Sequence, residues 1–288
     1  MKLFSLQQPL RQSIKNFLIE HGLNDDERMR IDEACHGLNS AGFDEWGLDP
    51  ETLKATFGAV KWLYEDYFRV DVTGMENMPK GRALLIANHG GQIPIDGMVV
   101  GMSMLLHGNP PRVCRGMVER WFPSLPFIST LFMRCGQMVG DHRNCRDLLE
   151  KEACVLVFPE GVKGSGKTIF ERYQLQRFGT GFVRLALETK APIVPVAIIG
   201  CEETFPSLSR MKTLAGLLGA PYLPLAFPFP LPSKITLRFG KPLYFDEHAD
   251  ASEAQVQALV EKVRGSIQQE LEIGLNKRGG KIFTGSGT

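Results

Sequence analysis

The feature that most constrains this chain is a series of short, unbroken apolar runs, each followed by a turn rich in glycine or proline. The runs cover residues 83–87, 155–158 and 193–199, and a later run with alternating apolar residues covers 235–239. Unbroken apolar runs of this length are typical of strands buried on both faces of a sheet. Segments with helical periodicity, residues 98–106 and 181–189, lie between them. This alternation predicts an α/β fold in which a mixed central sheet is flanked by helices.

The sequence divides into three segments by pattern and charge. Residues 1–70 are predicted to form a helical extension that is acidic, with eight Lys/Arg and twelve Asp/Glu side chains. Within it, Asp49 and Pro50 form a typical helix start. Residues 71–248 carry the α/β pattern. Residues 249–288 are predicted to form an amphipathic helix, over 252–275, followed by a glycine-rich tail.

Charge and cysteine content limit the classes of partner and the compartment. The formal net charge is +1, from 33 basic and 32 acidic side chains. There is no long basic tract, so nucleic acid is not an expected partner.

The six cysteines form no C-x-x-C pair and no zinc-binding pattern, so we expect reduced thiols, no metal and no cofactor. The first residues lack the features of a secretory signal, which favours a cytoplasmic location. The oligomeric state is not specified.

One segment is too apolar for an ordinary loop. Residues 213–232 contain no charged side chain and five prolines. The prolines exclude a continuous membrane-spanning helix. Five basic and no acidic residues lie between positions 204 and 245. The segment is therefore interpreted either as a surface flap facing anionic lipid headgroups or as a connector buried in the core.

A first polar cluster follows the run at 83–87. Asn88, His89, two glycines, Pro94 and Asp96 come in that order. A histidine at the end of a buried strand and beside glycines can approach a ligand closely. We expect Asp96 to be the N-cap of a helix that begins at Gly97, with its carboxylate directed back toward the imidazole of His89. A His held by a carboxylate is a minimal general base, although the same residues also fit a purely structural turn.

A second polar cluster follows the run at 155–158. The turn contains Pro159, Glu160, Gly161, Lys163 and Lys167, and its amides and ammonium groups suit a phosphate or a glycerol headgroup. Residues 161–168 also match the P-loop spacing G-x-x-x-x-G-K-[ST], which makes a nucleotide-dependent enzyme an alternative. A flexible charged turn is the simplest alternative.

Taken in order, three motifs make the chain recognisable. Asn88 and His89 with Asp96, then Phe158-Pro159-Glu160-Gly161, then Val194-Pro195-Val196-Ala197-Ile198 resemble the motif series of the phospholipid/glycerol acyltransferase superfamily, which includes lysophosphatidic acid acyltransferases. The resemblance extends from about Tyr67 to Phe245.

The resemblance implies both a reaction and the residues that perform it. His89 is the implied catalytic base and Asp96 its partner, acting on an acceptor hydroxyl that attacks an acyl thioester. The donor is acyl-CoA or acyl-carrier protein, the acceptor is a lysophospholipid or related glycerolipid, and the enzyme rests on the cytoplasmic face of a membrane. The implied substrate-binding residues are Asn88, Gly91, Arg143, Phe158, Pro159, Glu160, Gly161 and Lys163.

Two departures from the family pattern concern the acceptor. Six residues separate His89 from Asp96, where the family usually has four, and Lys163 stands where the family often has Arg. Lys keeps the charge of Arg but loses its bidentate geometry. A neutral acceptor, monoacylglycerol or diacylglycerol, is therefore an alternative, and a catalytically silent lipid-binding module is a third possibility.

Overall fold

A computed structural model describes residues 2–90, 94–120, 122–211, 223–226 and 229–279 of the chain. For residues 2–9, 162, 165, 207–211 and 223–226 it describes the backbone only. Several short turns, among them a π-helical turn at Leu63–Tyr67, connect the regular elements. The α-helices in this part of the chain are α1 (Lys2–Gly22), α2 (Asp25–Ala34), α3 (Pro50–Trp62), α4 (Ile95–Leu106), α5 (Ile128–Arg134), α6 (His142–Glu150), α7 (Val162–Ser165), α8 (Gly181–Thr189), α9 (Cys201–Thr204) and α10 (Glu253–Arg278).

The strands form one large sheet and one small hairpin. The large sheet has seven strands in the order β1-β9-β6-β2-β5-β3-β4, and β7 pairs with β8 in the hairpin. The strands are β1 (Asp71–Thr73), β2 (Ala83–Ala87), β3 (Cys114–Val118), β4 (Met138–Val139), β5 (Cys154–Val157), β6 (Ile193–Ile199), β7 (Ser207–Met211), β8 (Leu223–Ala226) and β9 (Thr236–Phe239).

The sheet is mixed, as the sequence predicts. Strands β6, β2, β5, β3 and β4 run parallel to one another, while β9 is antiparallel to β6 and β1 is parallel to β9. The carboxyl ends of β2, β5 and β6 therefore meet at one edge, and loops at that edge are the usual ligand-binding position in such sheets. The two polar clusters of the sequence follow β2 and β5, so both lie there.

Alternate residues of the central strands pack into two cores, one on each face of the sheet. Leu85 and Ala87 of β2 lie in the core that α2, α3 and α4 cover. Leu84 and Ile86 lie in the core that α6, α8 and α10 cover. The period of two in a strand produces this division, and both faces are apolar because both are covered. Helices α2 and α3 of the predicted extension thus contribute to the core under the sheet.

The predicted runs and helices of the α/β region agree with the structure except at one helix start, but the sequence patterns did not identify strand β3, helices α5 and α6, or the shortest strands. Strands β1 and β4 have three and two residues, too few for a pattern to identify them. The expected helix start at Gly97 was wrong, because α4 begins at Ile95 with Pro94 as its N-cap. Asp96 therefore lies inside the first turn. Much of the apolar segment 213–232 lies outside the described residues, and within it Leu223–Ala226 pairs with Ser207–Met211.

Candidate active site

His89 and Asp96 form the centre of the candidate site. His89 follows β2 and Asp96 lies in the first turn of α4. The Nδ1 atom of His89 is 2.5 Å from Oδ2 of Asp96, and the same oxygen accepts a hydrogen bond of 3.2 Å from the Gly90 amide. Asp96 is fully buried, whereas 19% of the His89 side chain is exposed. The carboxylate fixes the imidazole through Nδ1, so Nε2 is the nitrogen that can exchange a proton with a ligand.

The charges around His89 shift its acidity. Burial lowers the pKa of His89, but the Asp96 carboxylate, through its charge and its hydrogen bond, and the Glu160 charge together raise the pKa above the ordinary value of 6.5. Lys167 opposes this rise. The imidazolium form is thus favoured more than in a free histidine, which helps a base hold a proton taken from a weak acid.

Asn88 locks the end of β2 to its neighbour β6. Its Nδ2 donates to the carbonyl of Ile198 at 2.9 Å, and its Oδ1 accepts from the amide of Ile198 at 2.7 Å. The side chain is almost completely buried. The two bonds extend the pairing of β2 with β6 by one residue beyond the backbone hydrogen bonds between the strands. They fix the point at which the chain leaves the sheet before His89. Its role in substrate binding stays a prediction.

Glu160 is buried and connects two turns through its side chain. Its Oε1 accepts a hydrogen bond of 2.9 Å from the backbone amide of His89. Its Oε2 accepts from the amide of Gln176 at 2.8 Å. These bonds position the turn after β5 against the turn after β2. Because both carboxylate oxygens are engaged by the protein, Glu160 acts on the site through His89 in this structure.

A buried ion bridge extends from Glu160 to the end of β6. Nζ of Lys167 lies 3.1 Å from Oε2 of Glu160 and 3.0 Å from Oε1 of Glu202, and 2% of the Lys167 side chain is exposed. Glu202 belongs to α9, directly after β6, and its Oε2 accepts from the amide of Tyr173 at 2.6 Å. Burial raises the pKa of Glu202, and Lys167 opposes that rise. The bridge ties together the turns that follow β2, β5 and β6.

The network continues to the C-terminal helix. The Tyr173 hydroxyl donates to Oε1 of Glu203 at 2.6 Å, and Nη2 of Arg278 lies 2.6 Å from Oε2 of Glu203. The Ser233 hydroxyl donates to the same carboxylate at 3.0 Å. Arg278 is the last residue of α10. The end of this helix is therefore attached to the edge of the sheet that carries His89.

Two glycines allow these turns to approach each other. A Cβ atom at Gly90 would lie 2.1 Å from Cγ of Glu202, and one at Gly164 would lie 2.7 Å from Cβ of Glu160 and 2.8 Å from Cβ of His89. Contacts this short do not occur between real side chains, so both positions require glycine. Gly164 lies in α7, which therefore packs directly on His89.

Gly164→Ala is expected to destabilise the protein by about 1–3 kcal/mol, since the added methyl group overpacks two buried Cβ atoms that cannot both move away. Chemical denaturation of the variant and the wild type measures the difference. Gly101→Ala in α4 is the matched control, because a Cβ at Gly101 meets nothing within 4 Å. An unchanged free energy of unfolding in Gly164→Ala would contradict the packing described.

The remaining predicted residues divide between the site and its surroundings. The Phe158 ring stacks on His89 with ring centroids 4.5 Å apart. Gly161 turns the chain with a φ of +54°, and Pro159 accepts a hydrogen bond from Gly179 at its carbonyl. Lys163 is exposed on α7, next to the site. Gly91 lies outside the described residues.

Arg143 lies apart from His89. It is the second residue of α6, which follows β4, and β4 is three strands away from β2, or about 14 Å. Its side chain is 84% exposed, with Nε 3.8 Å from Oδ2 of Asp147. In this structure it is a surface residue at the far side of the same edge.

Residues 161–168 do not have the geometry of a P-loop. A P-loop lysine projects its ammonium toward phosphates at the start of a helix. Here the short helix α7 lies inside the motif, a 3-10 turn at Ile169–Glu171 follows it, and Lys167 is held by Glu160 and Glu202. The lysine on which the nucleotide alternative depends is occupied by carboxylates.

Sequence reasoning missed Glu202 and the structural role of Lys167. The signal for Glu202 was available, since Glu202 and Glu203 follow the buried run 193–199 just as the other two clusters follow their strands.

In the part of the chain that the structure describes, no group of three or more His, Cys, Asp or Glu side chains could hold a metal ion. No described helix has both the length and the apolar character needed to span a bilayer.

Comparison with known proteins gives one family match and a set of relatives. The family model described as Acyltransferase matches residues 69–199. Uncharacterized protein Rv0502 of Mycobacterium tuberculosis is 40% identical over 245 residues, covering 79% of this chain and 68% of the relative. Uncharacterized protein ML2427 of Mycobacterium leprae is also 40% identical over 245 residues, with 79% of this chain and 66% of the relative covered.

More distant proteins with descriptive names also match. The human DGAT1/2-independent enzyme synthesizing storage lipids is 28% identical over 215 residues, covering 70% of this chain and 64% of that protein. The matched region spans 68% of Rv0502, 66% of ML2427 and 64% of the human enzyme, about two thirds of the length of each relative. Among solved structures, the 1-acyl-sn-glycerophosphate (LPA) acyltransferase PlsC from Thermotoga maritima matches with a TM-score of 0.48 and 22% identity, covering 75% of this chain and 77% of that chain.

Proposed function

The chain belongs to the acyltransferase family and is an enzyme of the phospholipid/glycerol acyltransferase type, and on this premise we propose that it transfers a fatty acyl group from acyl-CoA or acyl-carrier protein to a hydroxyl of a lysophospholipid or related glycerolipid. One observation carries the proposal. The imidazole of His89 is fixed through Nδ1 by the buried Asp96 carboxylate, at the edge of the sheet where ligands bind.

In the proposed reaction His89 is a general base. Nε2 takes the proton of the acceptor hydroxyl as the oxygen attacks the carbonyl carbon of the thioester, and Asp96 stabilises the imidazolium that forms. The carbon–sulfur bond then breaks, and the leaving thiolate takes the proton from Nε2. The products are an ester and a free thiol, and His89 returns to its neutral form. No covalent acyl-enzyme and no cofactor takes part.

The pH dependence of turnover tests the His89–Asp96 pair. The base must be neutral, so kcat should rise with pH through a midpoint above 6.5, because the pKa of His89 is raised. In Asp96→Asn the negative charge is lost while burial still lowers the pKa. The midpoint should therefore move to lower pH, with a lower plateau. Asp141→Asn, which alters the N-cap of α6, is the control, and a midpoint unmoved in Asp96→Asn would contradict the pairing.

A neutral acceptor is the second candidate. The vertebrate relatives are named as enzymes that synthesise storage lipids. The candidate phosphate contact Arg143 is remote from His89, and Lys163 supplies a single ammonium group in place of a guanidinium. These two features weaken recognition of a phosphate-bearing acceptor and favour monoacylglycerol or diacylglycerol.

The test is a thiol-release assay with palmitoyl-CoA. The acceptor panel contains lysophosphatidic acid, other lysophospholipids, monoacylglycerol and diacylglycerol, and the assay is repeated with palmitoyl acyl-carrier protein. Thiol release that requires both an acceptor and His89 supports the proposal and identifies the acceptor class. Release independent of His89, or no release with either donor on any acceptor, would contradict it.

We place the enzyme at the cytoplasmic face of a membrane as a peripheral protein, since its acceptor is a lipid. Exposed apolar side chains support this placement. Leu10, Ile14 and Phe17 recur along one face of α1, and 85% of Phe127, just before α5, is exposed. Both helices pack against α3. An amphipathic helix with such a face binds at the level of the lipid headgroups.

Phe127→Asp combined with Leu131→Asp is expected to weaken binding to anionic phospholipid vesicles at least tenfold, since each change removes an exposed apolar group and adds a negative charge. Vesicle co-sedimentation measures binding. Tyr244→Asp, which alters another exposed ring, is the control and should bind as the wild type does. Equal binding of the double variant would remove α5 from the proposed membrane surface.

A further inference from the structure

A loop before α8, residues 172–178, passes the edge of the sheet at which the proposed base lies. Near the start of the loop, the amide of Tyr173 donates to Oε2 of Glu202, in α9 just after β6, at 2.6 Å. Near its end, the amide of Gln176 donates to Oε2 of Glu160, in the turn after β5, at 2.8 Å. Strand β2, which leads to the base, lies between β6 and β5 in the sheet. The loop therefore crosses the end of the strand that positions the base.

This loop is also held to the body of the protein. Leu175 and Phe178 are 7% and 3% exposed and pack in the core that α6, α8 and α10 cover. The carbonyl of Leu175 accepts from Nη2 of Arg264, on α10, at 3.2 Å. The amide of Gly179 donates to the carbonyl of Pro159 at 3.1 Å. Side chains that leave the loop toward solvent therefore start from a fixed backbone, which lowers the cost of ordering them around a ligand.

Two arginines of the loop make no ion pair with a described residue. Arg172 is half-buried and donates only to a backbone carbonyl, at 3.4 Å. Arg177 is exposed and has neither a hydrogen bond nor an ion pair within the described part of the chain. By contrast, Arg184 on α8 pairs with Glu253. The sequence has no acidic residue over positions 172–187. The loop thus presents two uncompensated guanidinium groups beside the candidate site.

The acidic groups next to the loop are engaged by the protein. Glu160 and Glu202 are 4% and 6% exposed, and both accept from backbone amides and from the ammonium group of Lys167. Glu171 accepts hydrogen bonds as the cap of the 3-10 turn that precedes the loop. Glu261 pairs with an arginine of α10. A solute that approaches the loop from solvent therefore meets the two free guanidinium groups.

We propose that Arg172 and Arg177 bind the phosphate groups at the nucleotide end of the acyl donor, which makes the donor an acyl-CoA. This inference rests on the proposed function, since it places the thioester of the donor at His89. Guanidinium groups bind phosphate through paired, charge-assisted hydrogen bonds. In an acyl-CoA the pantetheine arm separates the phosphates from the thioester. The phosphates can therefore stay at the exposed loop while the carbonyl carbon reaches the acceptor oxygen.

The placement of the two arginines favours this ligand over two other anions. The phosphate of lysophosphatidic acid lies only a few atoms from the hydroxyl that reacts, so it must enter the site with that hydroxyl, whereas Arg177 is exposed on the loop. An acidic carrier protein is a macromolecule and needs a wide basic surface. Two guanidinium groups on one short loop form a compact site, which suits the phosphates of a nucleotide.

The test is a calorimetric titration of the full chain with adenosine 3′,5′-bisphosphate, the phosphate-bearing end of CoA, at constant ionic strength. We expect saturable binding, weakened roughly tenfold or more in the double variant Arg172→Gln, Arg177→Gln, because both changes remove charge-assisted hydrogen bonds. Arg177→Gln alone should show a smaller loss, and it carries the test if the double variant does not fold. Arg184→Gln is the matched control and should bind as the wild type does, because its guanidinium group already pairs with Glu253.

Steady-state kinetics distinguishes the donor from the other anions. In the double variant the KM for palmitoyl-CoA should rise roughly tenfold or more with little change in kcat, while the KM for the acceptor stays as in the wild type. A rise confined to the KM for lysophosphatidic acid, or to that for palmitoyl acyl-carrier protein, would overturn the proposal. So would a wild type that does not bind the bisphosphate, or a double variant that binds it equally well. Binding of the bisphosphate needs no turnover, so failure of this site and failure of the proposed acyl transfer are distinguishable.

Discussion

Replacing His89 by alanine should lower the rate of acyl transfer by about 10²–10⁴-fold, which is the usual contribution of a positioned general base. The loss should fall mainly on kcat, since the base acts as the acceptor oxygen attacks. Acceptor-dependent thiol release under saturating donor and acceptor measures it. The fold should persist, because the bond from the His89 amide to Glu160 is made by the backbone and survives the change.

His142→Ala is the matched control for this prediction. His142 also lies beside a carboxylate, with Nε2 3.1 Å from Oε2 of Glu188, but it is a surface residue at the start of α6. Its replacement should leave turnover unchanged. If His89→Ala retained near-wild-type kcat with a native circular dichroism spectrum, His89 would not be the base and the proposed mechanism would be wrong.

Replacing Lys167 by methionine should destabilise the protein by about 3–5 kcal/mol, because removal of one member of a buried ion pair leaves its partners uncompensated. Here the partners are two carboxylates, Glu160 and Glu202, that would face each other without the ammonium group between them. Because Glu160 also holds the His89 amide, kcat should fall as well. Denaturant unfolding and steady-state kinetics measure the two effects.

The destabilisation by Lys167→Met should depend on pH in a defined direction. Burial already raises the pKa of Glu202, and loss of Lys167 removes an effect that lowers it. Protonation of the carboxylate relieves the repulsion, so the difference in unfolding free energy between variant and wild type should shrink as pH falls. Lys163→Met is the stability control, since this lysine is exposed on the same turn. A variant as stable as the wild type at pH 8 would contradict the bridge.

The candidate site was largely readable from local sequence. Buried strands require unbroken apolar runs, and the polar residues directly after those runs must emerge at the edge of the sheet. His89 and Glu160 could therefore be placed before any coordinates. Arg143 could not, because the distance between two loops at one edge depends on strand order, and β4 lies three strands away from β2.

By itself the sequence determined the α/β class, the main strands and the turns that carry the site, because apolar runs and glycine-proline turns act over a few residues. Only the tertiary structure decided that Lys167 bridges Glu160 and Glu202, the second of which lies 35 positions away in the sequence. The partners of a buried charge come from segments distant in sequence, and which segments meet is set by strand register and by the packing of helices on both faces.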